Sequence, residues 1–89
     1  MRAIITVIGK DTVGILSKVS TVCAQYGVNI LEVTQSVLQE LFAMIMLVNV
    51  DKSSISFDEF KQKLDLAAEL SNTKIHVMHE DIFNSMHRI

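Results

Sequence analysis

The middle of the chain carries its strongest constraint. Two β-rich runs, "VNILEVTQSVLQ" (28–39) and "LFAMIMLVNV" (41–50), are parted only by a polar point at Gln39 and Glu40. Runs of this composition with so short a break are expected to fold back as an antiparallel hairpin. The second run is apolar at nearly every position, whereas an antiparallel sheet with helices on one side normally leaves its other face polar. Such a strand suits a sheet that is covered twice or continued by a partner, or a central strand of modest exposure.

The flanks supply the rest of the layout. "RAIITVI" (2–8) is dense in β-branched residues and stops at Gly9, which reads as a mostly buried first strand. Over 13–26 the apolar residues Ile15, Leu16, Val19, Val22, Cys23 and Tyr26 recur at spacings of three and four, with Gly27 as the stop. In "ISFDEF", Ser56 with Glu59 forms a capping box, Ile55 with Phe60 a hydrophobic staple, and a second helix is expected to end near Ser71 and Asn72. Its buried side is marked by Phe57, Phe60, Leu64, Ala67 and Ala68. "KIHVMHE" (74–80) alternates as a half-buried fourth strand. The tail "DIFNSMHRI" (81–89) suits a last helical turn or two, with Asp81 as cap, Ile82, Phe83 and Met86 on one side, and His87 and Arg88 at the C-terminal end. The order β-α-β-β-α-β predicts an α+β, ferredoxin-like plait over residues 1–89: one domain, a four-stranded antiparallel sheet, helices on one face and a short helical tail.

A chain of 89 residues buries only about 60 to 65% of its unfolded surface, so self-association would help it. The eight Lys and Arg are scattered on a chain of net charge −2, which offers no footprint for nucleic acid or anionic membrane. No segment approaches the roughly 18 apolar residues of a membrane span, and the N-terminus lacks a cleavage pattern, so a cytoplasmic location is expected. The single Cys23 sits on the apolar helical stripe and reads as core. His76 and His79 are three apart on a strand, hence on opposite faces, and no C-x-x-C occurs, so no metal site is expected. Of the central strands only one offers an aromatic residue, Phe42, too little for base stacking. "GKDTVG" matches neither the P-loop nor the dinucleotide pattern. The reading is of no catalytic residues, no cofactor and no enzyme.

What remains is the turn in "VIGKDTVGIL" (7–16). Unsatisfied N–H groups around Thr12 to Ile15 form a weakly electropositive pocket suited to a carboxylate, and Gly14 lets a ligand approach the backbone. Asp11 or Thr12 can cap the helix, or Asp11 can meet the ammonium of a zwitterion; the spacing leaves both open.

Three linked features, a strand ending in "GKD", a helix starting at "VGIL" and "GVNI" before strand two, make residues 5–35 resemble the opening half of an ACT domain. The element order extends the resemblance over nearly the whole chain, and the tail is similar to that of small stand-alone ACT proteins of the glycine-cleavage repressor group. The resemblance implies a regulatory module that binds an amino acid or similar small effector between two subunits, whose plaits lie side by side as an eight-stranded sheet. It assigns the site to Asp11, Thr12, Val13, Gly14 and Ile15 at the first turn, with Asn29 and Ile30 at the start of strand two. The Asn29 amide offers a donor and an acceptor, though an asparagine there also simply finishes the turn after Gly27. With no room for an attached catalytic or DNA-binding domain, the output is expected to pass through a separate protein partner or through assembly of a homo-oligomer, at least a dimer. The alternative is an interaction or oligomerisation module that has lost its ligand.

Overall fold

A computed structural model describes residues 1–10 and 14–86. Strand β1 (Arg2–Gly9) is followed by α1 (Ile15–Gln25), the hairpin β2 (Asn29–Leu38) and β3 (Leu41–Asn49), then α2 (Phe57–Ser71), β4 (Thr73–His79) and α3 (Glu80–Met86). The strands form one antiparallel sheet in the order β2-β3-β1-β4, which is the predicted plait. Gln39 takes φ +55°, a left-handed conformation that lets a two-residue turn join the paired Leu38 and Leu41.

The register explains why β3 is apolar on both sides. Met46 stands between Ile5 and Val33, and Met44 between Val7 and Gln35, so Phe42, Met44, Met46 and Val48 all point to the helices and are buried. They meet Ile15, Val19 and Cys23 of α1 and Phe60, Leu64 and Ala68 of α2 in a single core. Each such large side chain contributes about 1.5–3 kcal/mol by leaving water. Leu41 and Ile45 look the other way, onto a face that neither α1 nor α2 covers, and remain exposed.

The helix ends show what stops each element. Gly27, at φ +75°, closes α1: its N–H donates to the Ala24 carbonyl while the Val28 N–H donates to that of Cys23 at 2.8 Å, a Schellman arrangement. Lys52's carbonyl oxygen would stand 2.8 Å from any Cβ at this position, so only glycine fits. Ser56 caps α2 as predicted, its Oγ accepting from the Glu59 N–H at 3.1 Å, with Phe60 fully buried and Ile55 packed against the core. Asn72, at φ +55°, ends the helix.

Two expectations about helix starts are corrected. The first helix begins at Ile15, where the apolar stripe implied a start at Val13, and its cap position is Gly14; the Asp11 and Thr12 caps expected there lie outside the described residues. In the tail, Asp81 is not the cap: α3 begins at Glu80, and the Asp81 N–H donates to Nδ1 of His79 at 3.1 Å, so the histidine ring does the capping. The C-terminal His87 and Arg88 lie outside the described residues. Helix α3 contacts β1 and β4 and neither of the other helices, and Arg2 grips its Glu80 in two contacts of 2.7 and 3.1 Å. Among the described residues no helix is long and apolar enough to cross a membrane.

Candidate functional site

Of the residues expected at the site, Asp11, Thr12 and Val13 lie outside the described residues; Gly14, Ile15, Asn29 and Ile30 are described. Gly14 has φ +82°, which itself favours glycine, and a Cβ added there would meet nothing within 4 Å. The backbone is therefore open to an approaching molecule. The first intrahelical bond runs from the Lys18 N–H to the Gly14 carbonyl at 2.9 Å, which leaves the N–H groups of Ile15, Leu16 and Ser17 without an acceptor inside the helix. No acidic side chain stands in this first turn to offset the positive end of the helix dipole. Ile15 is 1% exposed, its side chain in the core, so what it offers outward is its N–H. Ile30 also packs against the core.

Asn29 opens β2 and stands opposite Asn49, at an open hollow of about 350 Å³ lined by Gly27, Asn29, Asn49, Asp51 and Lys52. Asn49 Oδ1 accepts from the Asp51 N–H at 2.8 Å, which commits its oxygen and leaves its NH₂ as the outward donor. The Asp51 carboxylate is hydrogen-bonded by the Met1 ammonium, which holds it below the usual carboxylate range. Asn49, Asp51 and Lys52 are not among the residues the sequence singled out. The signal for them lies in the register of the hairpin, not in any local motif.

The two halves are far apart. The α1 start follows Gly9, which pairs with Phe42 and Thr73, whereas Asn29 pairs with Asn49, itself the partner of Arg2. Seven residue steps along β1 separate these ends of the sheet, about 23 Å. Gly14 follows one of these ends and Asn29 lies at the other.

Other chemical candidates stay separate. Cys23 is wholly buried and its thiol is pushed up to about 11 by burial, which suits a core residue and not a nucleophile. His76 pairs with Thr6 and His79 with Ala3, on opposite faces of the sheet. Among the described residues no group of three His, Cys, Asp or Glu side chains is placed to hold a metal.

Compared with known proteins, residues 2–78 match the ACT domain. The chain belongs to the ACT-domain family. A UPF0237 protein of Clostridium acetobutylicum is 47% identical over the full length of both chains. The solved ACT domain protein from Streptococcus pneumoniae superposes with a TM-score of 0.81 at 37% identity, covering 98% of each chain. A protein assigned as a glycine cleavage system transcriptional repressor shares the fold, with a TM-score of 0.74 at 22% identity over 89% of this chain and 47% of that one. ACT domains are generally regulatory modules that bind small molecules and commonly oligomerise, not a catalytic family.

Proposed function

We propose that this ACT domain senses an amino acid or a similar small zwitterion in the cytoplasm, at a junction between two copies of the chain, and passes the signal to a separate protein. The observation that carries this reading is the separation of Gly14 from Asn29 to opposite ends of the sheet. Strand β2 is an edge, and α1 runs against β2 while α2 runs against β4. Two copies joined antiparallel along β2 bring Asn29 of each beside the end of the other from which α1 departs. In that junction the ligand carboxylate takes the N–H groups of Ile15, Leu16 and Ser17, which have no acceptor inside the helix, with Gly14 allowing close approach. The amides of Asn29 and Asn49 from the other copy take the remaining polar groups, and the family resemblance adds Asp11, Thr12 and Val13 to the site.

Isothermal titration of the full chain with each of the twenty amino acids tests it. One chemically related group should bind, and Asn29→Ala should weaken that binding by about tenfold through loss of one hydrogen-bonding amide. A ligand at a hundred times its Kd stabilises by about 2.7 kcal/mol and should raise Tm by about 10 °C or more in a domain of this size. A folded oligomer that ignores the whole panel in both measurements would sink the sensor reading and leave a ligand-independent assembly module.

A further inference from the structure

The sheet face that α1 and α2 leave uncovered has two unlike ends. Ile4 and Ile8 stand on that face of the same strand, yet Ile4 is 6% exposed and Ile8 43%. The covered end is the one where α3 turns in, held by the pairing of Arg2 with Glu80. At the bare end lies an open hollow of about 420 Å³, with Ile8 and Leu41 as its apolar surface and Lys10 and Lys74 as basic neighbours. Lys74 is the direct cross-strand partner of Ile8. Helix α3 carries the matching pair: Ile82, 55% exposed, next to Asp81, whose side chain is 85% exposed. Its own α3 cannot fill the hollow, because Glu80 is tied to Arg2 and the rows of Ile4 and Ile8 are about 13 Å apart.

We propose that a second copy of this chain docks its α3 in the hollow, seating Ile82 on Ile8 and Leu41 and setting Asp81 against Lys74, and receives the first copy's α3 in return. A two-fold axis running across the strands at the level of Thr6, midway between Ile4 and Ile8, exchanges the two ends and makes both contacts at once. Charge favours this placement, where Lys10 and Lys74 outnumber the turn residue Glu40, over the β2 side of the same face. There Glu32, paired with Leu47, would stand against the acidic first turn of α3, formed by Glu80 and Asp81. The docking face is distinct from the β2 edge, so the two junctions together assemble four copies.

Sedimentation equilibrium of the full chain, with circular-dichroism melts as the folding control, tests the docking. Ile82→Asp should weaken one association step by at least about tenfold. Lys74→Glu and Asp81→Lys, both on exposed side chains, should each weaken it by about two- to fivefold, and their combination should restore it to within about twofold of the unaltered chain. The swapped pair tests the docking independently of how Ile82→Asp folds. An association constant indifferent to Ile82→Asp in a folded chain, or a swapped pair no better than the weaker single variant, overturns the proposal.

Discussion

The two long helices begin in opposite ways. Helix α2 closes its own N-terminus: Ser56 accepts the Glu59 N–H, Asp58 and Glu59 supply negative charge in the first turn, and the fourth helical residue, Phe60, is buried in the core. In α1 the equivalent positions are Gly14, with no side chain, Ser17 where α2 has Glu59, and Lys18 where α2 has Phe60. Such a cap is worth about 1 kcal/mol and such first-turn charge about 0.3–1 kcal/mol, and neither is supplied by Gly14 or by the first turn of α1. The contrast teaches that α2 carries at its start the residues that stabilise a helix end, while α1 has none of them at the same positions.

The largest effect expected from breaking this contrast lies on the stable side. Phe60→Ala removes both the staple and a fully buried ring from the core, and should cost about 3–5 kcal/mol in urea denaturation. In an 89-residue domain that is a large share of the whole stability, so a substantial unfolded population should appear without denaturant. Gly14→Ala is next. Open space surrounds the position, so the cost comes from φ +82° alone, about 1–2 kcal/mol. Gly14→Asn, a residue that tolerates this conformation, should lose less, and equal losses for the two would show that backbone strain is not the reason for glycine. Ser56→Ala should cost about 1 kcal/mol, since it strands the Glu59 N–H at the α2 start.

The same contrast shows how far the residues announce their own geometry. The α2 start was readable because Ser56, Glu59, Ile55 and Phe60 act within one turn of chain. So was the end of α1, because a Schellman closure needs the left-handed residue that Gly27 supplies. The apolar stripe extends to Val13, whereas α1 begins at Ile15, after the positive φ of Gly14. At α3, Asp81 has the composition of a cap, but a histidine nitrogen two residues before it takes the N–H first. Asn49 was out of reach for a different reason. Counting outward from the Gln39 turn pairs Asn29 with Val50, and only the irregularity between Ile30 and Glu32 moves it onto Asn49. A bulge of this kind is decided by packing across the sheet, so no local pattern reports it. The site residues drawn from the family resemblance are likewise divided between two ends of the sheet, which strand order decides and single motifs do not.

The smallest expected change in stability is the most informative for function. Ser17→Glu gives α1 the residue that α2 has at the same position, on an exposed side chain. A carboxylate there complements the helix dipole and can reach back to the Gly14 N–H, so the domain should gain about 0.3–1 kcal/mol, read as a small rise in the urea midpoint. The proposed effector site should respond in the opposite direction, because the new carboxylate would occupy the donors and repel the carboxylate of a zwitterion. An affinity loss of about tenfold in titration, together with that rise in stability, separates a start left open for a ligand from one that is merely poorly capped. If stability rises and affinity is unchanged, the open N–H groups of α1 are not where the effector carboxylate sits.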